Sequence, residues 1–195
     1  MIAIVDYGAG NISSVRKAFE HLGASVQVTA DPAVIASAEK LVVPGVGHFN
    51  RCEFLNQQLR TPVLDAVKQG KPFLGICVGM QWLFSGSMEA PGTPGAALFA
   101  GECSRFPTEV KSPHVGWNQI DVREGSRLLR GIENGAFVYY THSYRAPMVA
   151  ETVASTSYGG TFSAAVEHGN VFGVQFHPEK SSATGLKLLE NFCEL

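Results

Sequence analysis

Charge is scarce in this chain. Asp, Glu, Lys and Arg make up 16% of 195 residues, and the net charge is −2 at pH 7 with no block of lysine or arginine. That excludes the basic footprint of a nucleic-acid binder and the polybasic face of a membrane-surface protein. Only four cysteines occur, Cys52, Cys77, Cys103 and Cys193, without a CxxC pair or a metal-ligand spacing. Neither a disulfide framework nor a metal site is expected, and the thiols read as reduced. No apolar run approaches the roughly 20 residues of a membrane span. The opening apolar run, 1–5, is too short for a signal-peptide core and has no basic flank, so the expected compartment is the cytoplasm. Repeats and low-complexity tracts are also lacking. What is left is a 45% hydrophobic chain, long enough to remove roughly 70% of its unfolded surface from water without staples. One domain over 1–195 is expected, acting on small polar ligands or protein partners.

Short β-rich runs alternate with helical patterns through the first half: 2–5 then 12–22, 26–29 then 33–38, 41–43 then 54–68, and 73–76 then 80–84. The alternation predicts an α/β fold, a three-layer arrangement with a mostly parallel central sheet flanked by helices. The second half reads as strands at 102–106, 117–122, 136–140, 152–157, 163–167 and 171–176, an additional antiparallel part, closed by a helix over 183–194. Residues 86–101, rich in Gly, Ser, Pro and Ala, read as a surface excursion. Ligands of open α/β sheets bind beyond the carboxyl ends of parallel strands, so the loops at Asp6, Pro44 and Cys77 should converge.

Cys77 carries the strongest chemical signal. It sits in Gly75-Ile76-Cys77-Val78-Gly79, with glycines two positions to either side, between an apolar run and a helical pattern. That is the frame of a nucleophile elbow, where a strained turn leaves no room for neighbouring side chains. A helix starting just after Cys77 would aim free N–H groups at the sulfur and favour the reactive thiolate. Near the other end, Phe176-His177-Pro178-Glu179 leaves a strand pattern. Residues two apart share a side of an extended segment, so His177 and Glu179 can meet, and Pro178 restrains His177 to extended backbone. Alone, this histidine reads equally well as a locally satisfied strand-end residue. With a framed cysteine it completes a nucleophile, proton shuttle and orienting acid. The loop Pro44-Gly45-Val46-Gly47 offers only backbone. It is either a tight turn or an oxyanion donor through Val46, with the N–H of Val78 as the second donor.

The loop Asp6-Tyr7-Gly8-Ala9-Gly10-Asn11 fails as a dinucleotide fingerprint, because Ser13 stands where the third glycine is needed and Asp31 before Pro32 reads as a helix N-cap. An oxidoreductase is therefore the weakest reading.

Taken together, Gly75-Ile-Cys-Val-Gly-Met-Gln81, His177-Pro-Glu179, the Asp6–Asn11 and Pro44–Gly47 loops, Pro113-His-Val-Gly-Trp-Asn118, His142-Ser-Tyr144 and Gly173–Ser182 resemble the class I, or triad, glutamine amidotransferases. The match is closer still to one branch, the glutaminase subunits of imidazole glycerol phosphate synthases, and it covers the chain from end to end. The resemblance implies Cys77 as nucleophile, His177 as acid/base and Glu179 as its partner. It implies that Gly47, Gln81, Ser143 and Tyr144 hold L-glutamine, and that Asn11, Trp117, Tyr140 and Lys180 face a partner. That partner is a (β/α)₈-barrel synthase subunit in a heterodimer, which receives ammonia and makes imidazole glycerol phosphate and an aminoimidazole carboxamide ribotide. No cofactor is implied. From the residues alone, Gln81 is equally an exposed helix residue, and Trp117, Tyr140 and Tyr144 are equally core aromatics. His48 and Arg51-Cys52-Glu53, just after the oxyanion loop, depart from the family pattern, where small or apolar residues are common. Rival readings are another class I amidotransferase, a stand-alone Cys-His hydrolase, and a non-catalytic partner-binding module.

Overall fold

A computed structural model describes all residues, 1–195. Uninterrupted apolar runs make the parallel strands. β1 (Ile2–Val5), β3 (Lys40–Gly45), β4 (Phe73–Cys77) and β12 (Val171–Val174) are buried on both faces, as strands covered by helices must be. With β2 (Val26–Thr29) they form the parallel part of an eight-stranded sheet in the order β2-β1-β3-β4-β12. The sheet continues antiparallel through β11 (Thr161–His168), β10 (Thr152–Ser157) and β7 (Asp121–Val122). The expected α/β fold is found, with the chain stepping from β1 outward to β2 and back to β3. That reversal opens a crevice at the carboxyl ends.

The helices follow their local signals. α1 (Ile12–His21) packs with the closing α6 (Ser182–Glu194) through Phe19 and Phe192. α2 (Pro32–Ser37) begins as expected, with the Asp31 carboxylate accepting from Ala33 N at 2.8 Å and Pro32 at the first position. α3 (Cys52–Phe54) and α4 (Arg60–Lys68) are joined by a π turn, Leu55–Leu59. Pro62 explains the widening, since it has no N–H to donate and its ring crowds the carbonyl one turn back.

Three expectations need correcting. The helix after Cys77, read over 80–84, is a single turn, α5 (Val78–Gln81). The following carbonyls are claimed from elsewhere: Ala96 N donates to Trp82 O, Leu98 N to Leu83 O and Ala97 N to Phe84 O. The excursion 86–101 is therefore only partly a surface feature, with Thr93, Ala96 and Phe99 buried. In the second half, the strand read over 117–122 starts earlier. β6 (His114–Gln119) pairs antiparallel with β8 (Phe137–His142) as a separate ribbon. The short strands β5 (Ser104–Arg105) and β9 (Tyr144–Arg145) form a second small pair. One contiguous apolar core runs from β1 to α6.

Candidate active site

The three carboxyl-end loops do converge, the Tyr7 hydroxyl of the first lying so close to Gly45 that an added Cβ there would meet it at 2.2 Å. β3 and β4 bring Gly45 opposite Cys77 in register, and β12 lies on the other side of β4, with Val174 opposite Ile76. Cys77 has φ 54° and ψ −106°, a strained conformation for a residue with a side chain, of the kind that costs about 1–3 kcal/mol and gathers at functional sites. The flanking glycines permit the turn. A Cβ on Gly75 would lie 2.5 Å from Gly79 O, and one on Gly79 would lie 1.8 Å from Val43 O.

His177 reaches Cys77 because the chain continues three residues past β12. Its backbone is extended, φ −100° and ψ 96°, as the following proline requires. Glu179 meets it by a different route from the one expected. Residues Pro178–Lys180 form a 3-10 turn rather than an extended segment, and this turn carries the carboxylate back to the ring. The Oε1 of Glu179 lies 2.8 Å from His177 Nδ1, and both side chains are fully buried. Ser181 fastens the turn, donating to His177 O at 2.6 Å and accepting from Tyr139 N at 2.9 Å. Burial alone would push His177 down, but the Cys77 sulfur, and after it the Glu179 carboxylate, outweigh burial and raise it to about 10. The imidazole is thus held protonated at neutral pH. Nδ1 being occupied by Glu179, the buried and unbonded Nε2 is the ring atom left to exchange a proton with the reacting centre.

Asn11, expected on a surface, turns its side chain inward instead, donating to Glu179 Oε1, with Nδ2 3.5 Å from His177 Nδ1. The first loop therefore buttresses the acid of the triad.

A half-open cavity of about 270 Å³ lies against Cys77 and includes Val46, Gly47, Gln81, Ser143 and Tyr144. These expected residues are gathered at one place, together with Val78. Gln81 is not an exposed helix residue: it is 3% exposed, and its Nε2 donates to Tyr144 O at 2.8 Å and to Gln175 Oε1 at 3.1 Å. Its Oε1 is what remains for a ligand. Sequence reasoning missed Glu89, the one carboxylate among the lining residues, whose Oε2 accepts from Phe49 N at 2.8 Å. Glu89 lies in the Gly- and Pro-rich excursion, where no periodicity points to a site. The other thiol near this region, Cys52, is pushed up to about 12 by burial, with Glu89 adding to the effect, so it is inert beside Cys77.

At the cavity wall, His142 faces His114 across β6 and β8. His114 Nδ1 and His142 Nε2 are 3.1 Å apart, and His142 Nδ1 is 2.8 Å from Tyr144 O. Burial pushes His114 down to about 4 and His142 down to about 3. Both are neutral at pH 7, as the contact between ring nitrogens requires, since two imidazolium rings would turn N–H against N–H. The unfolded chain takes up these protons near pH 6.5, and the folded one only near 3 to 4. The contribution of this pair to stability should therefore be complete above about pH 6.5 and be lost as the pH drops below it. For the buried His142 the slope is up to about 1.4 kcal/mol per pH unit. Urea unfolding between pH 7 and pH 5 should show the decline, with a shallower slope in His142→Gln; equal slopes in the two proteins would refute it.

The outer face of the β6–β8 ribbon is apolar and open. Trp117 is 52% exposed and packs edge-on against Tyr139, Val115 and Phe137 are also exposed, and Lys180 Nζ lies 5.9 Å from the Tyr139 ring centre. Tyr140 corrects the expectation for this surface. It is fully buried, with its hydroxyl 2.7 Å from Thr156 Oγ1, and its neighbour Tyr139 takes the outer position. Side chains alternate along a strand, so a one-residue shift exchanges the faces of a Tyr-Tyr doublet.

The family described as glutamine amidotransferase class-I matches residues 3–195. The chain is 47% identical over 196 residues to imidazole glycerol phosphate synthase subunit HisH of Methanothermobacter thermautotrophicus, covering all of this chain and 98% of the relative. It is 48% identical over 201 residues to the HisH subunit of Thermococcus kodakarensis, with both chains fully covered. Among solved structures, a glutamine amidotransferase superposes with TM-score 0.78 at 18% identity, covering 100% of this chain and 98% of that one. The glutaminase domain of Trypanosoma brucei CTPS superposes with TM-score 0.67 at 16% identity, covering 99% and 93%. The solved structures bear out the fold, and the full-length likenesses in sequence are of a closer kind: the chain belongs to the class-I glutamine amidotransferases, in the branch of the HisH subunits of imidazole glycerol phosphate synthase.

Proposed function

We propose that the protein hydrolyses L-glutamine to glutamate and ammonia through a thioester on Cys77, and delivers the ammonia to the synthase subunit of imidazole glycerol phosphate synthase. The observation that carries this reading is the strained Cys77 beside a buried His177–Glu179 pair at the wall of a cavity sized for an amino acid. The Cys77 sulfur attacks the side-chain amide carbon. The developing oxyanion is met by backbone N–H groups of Val46 and Val78. His177 passes its proton to the departing nitrogen, ammonia leaves, and a glutamyl thioester remains. His177 then takes a proton from water, the hydroxide adds to the thioester, and the carbon–sulfur bond breaks to give glutamate. Glu179 stabilises the charged imidazole in both halves.

The whole chain acts as one amidotransferase domain in the cytoplasm, without a cofactor. Gly47, Gln81, Ser143 and Tyr144 hold the substrate, and Glu89 pairs with its α-ammonium. Glu89→Gln should raise KM for glutamine roughly tenfold with kcat little changed, since it removes a charge-assisted bond remote from the reacting carbon. A fall in kcat with KM unaltered would contradict that placement.

The partner is a (β/α)₈ barrel that docks on the exposed Trp117, Tyr139 and Lys180 ribbon and uses the ammonia in making imidazole glycerol phosphate and an aminoimidazole carboxamide ribotide in histidine biosynthesis. No helix is long and apolar enough to cross a membrane, and an apolar surface of this kind calls for a protein partner. Free ammonia is largely protonated in water at neutral pH and then cannot attack, so direct transfer suits the chemistry. Docking turns the Gly45–Val46 peptide so that its N–H faces the oxyanion. Glutaminase activity measured with and without the synthase partner and its nucleotide ligand, with Cys77→Ser as control, tests this. The partner should raise turnover roughly 10²–10³-fold, the value of one oxyanion donor. High turnover by the chain alone would refute the coupling.

A further inference from the structure

We propose that Gln175 is a further catalytic residue, donating a side-chain N–H to the Sγ of Cys77. The residue is placed by the sheet. β12 runs parallel to β4 with Val174 opposite Ile76, so Gln175, just past β12, comes beside Cys77, the last residue of β4. Gln175 is fully buried, and its Nε2 lies 3.7 Å from the Cys77 sulfur, a normal separation for a donor to the larger sulfur atom.

The orientation of the amide is fixed by a backbone group. The carbonyl of Tyr144 can only accept, so the Gln81 atom 2.8 Å away is its NH₂. His142 Nδ1, 2.8 Å from the same oxygen, is a second donor. The Gln81 NH₂ is also 3.1 Å from one terminal atom of Gln175, and that atom must therefore be the oxygen. The NH₂ of Gln175 is left pointing at Cys77. Turning the amide over would set two NH₂ groups against each other and leave the sulfur facing an oxygen, so the donor polarity is locked from Tyr144 through Gln81.

The chemistry uses that polarity twice. The sulfur is anionic before it attacks the amide carbon, and anionic again when water has added to the thioester and the carbon–sulfur bond breaks. A fixed N–H stabilises and aims the thiolate at both moments. No proton leaves Gln175, because His177 carries the transferred one. The inference rests on the reading of Cys77 as nucleophile, and the test separates the two.

Full-length chain is treated with iodoacetamide at neutral pH, and labelling of the Cys77 and Cys193 peptides is followed by mass spectrometry in wild type, Gln175→Glu and Gln175→Met. Gln175→Glu keeps the acceptor for Gln81 but turns a carboxylate toward the sulfur, and Gln175→Met removes both groups at similar length. Cys77 labelling should slow about tenfold or more in both, most in Gln175→Glu, while the half-buried Cys193 labels as in wild type and melting stays cooperative. Glutaminase turnover in the presence of the synthase partner should fall in parallel. Cys77 labelling within about twofold of wild type in either variant overturns the proposal. Should Gln175→Glu fail to melt cooperatively, the neutral Gln175→Met decides by the same criterion. Failure of Cys77 to label in the wild-type chain would instead strike at the nucleophile itself.

Discussion

Cys77→Ser is expected to cut glutaminase turnover at least about 10³-fold in the presence of the synthase partner, without loss of fold. Serine fits the elbow, since it is smaller than cysteine and meets the same backbone. What it lacks is a sulfur, the more nucleophilic atom. A hydroxyl must give up its proton during attack, and an alkoxide is a far more basic species than a thiolate, so the attack is costly even with His177 beside it. The same substitution carries a second readout. With the sulfur gone, the largest influence holding the proton on the ring is removed, so the His177 imidazole should titrate at lower pH, as followed by NMR of the ring. Wild-type turnover by the serine variant would remove the nucleophile from the mechanism. An unmoved His177 titration would remove the cysteine as the group that holds its proton.

The chemistry of this site was legible in sequence wherever it is local. Glycines at 75 and 79 announce the elbow, and His177-Pro178-Glu179 keeps its partners within three residues. The parallel sheet was legible too, because buried strands read as unbroken apolar runs. What could not be read depends on contacts between distant segments. The helix after Cys77 is cut short by N–H groups arriving from 96–98, which no propensity within 78–84 reveals. Tyr140 and Tyr139 exchange places because register is set by pairing with β6, not by the doublet. Asn11 turns to Glu179 across 168 positions of sequence. Glu89 sits where composition signals only a loop, and Gln175, within an apolar strand pattern, gives no sign of which neighbour its amide will meet.

Gly79→Ala should be the most damaging small change to the fold. Helix α5 starts the moment β4 ends, and it can do so only because its backbone lies against that of β3. An added Cβ at Gly79 would come 1.8 Å from Val43 O and 2.9 Å from Val43 C. Both atoms belong to a central strand paired on its two edges with β1 and β4, so neither can yield without moving the sheet. The elbow is closely packed on its other side too, Gly79 O lying so near Gly75 that a Cβ built there would come within 2.5 Å of it. A forced overlap in a packed core costs about 1–3 kcal/mol when side chains can adjust, and this one meets backbone only, so a loss above about 3 kcal/mol is expected. Gly92→Ala is the matched control, with nothing within 4 Å of its added Cβ and an expected change within about 0.5 kcal/mol. Urea unfolding of the two variants decides the matter. If they lose the same stability, then Val43 and Gly79 are not in backbone contact, and the turn that presents Cys77 is held by something other than the close approach of three strands' ends.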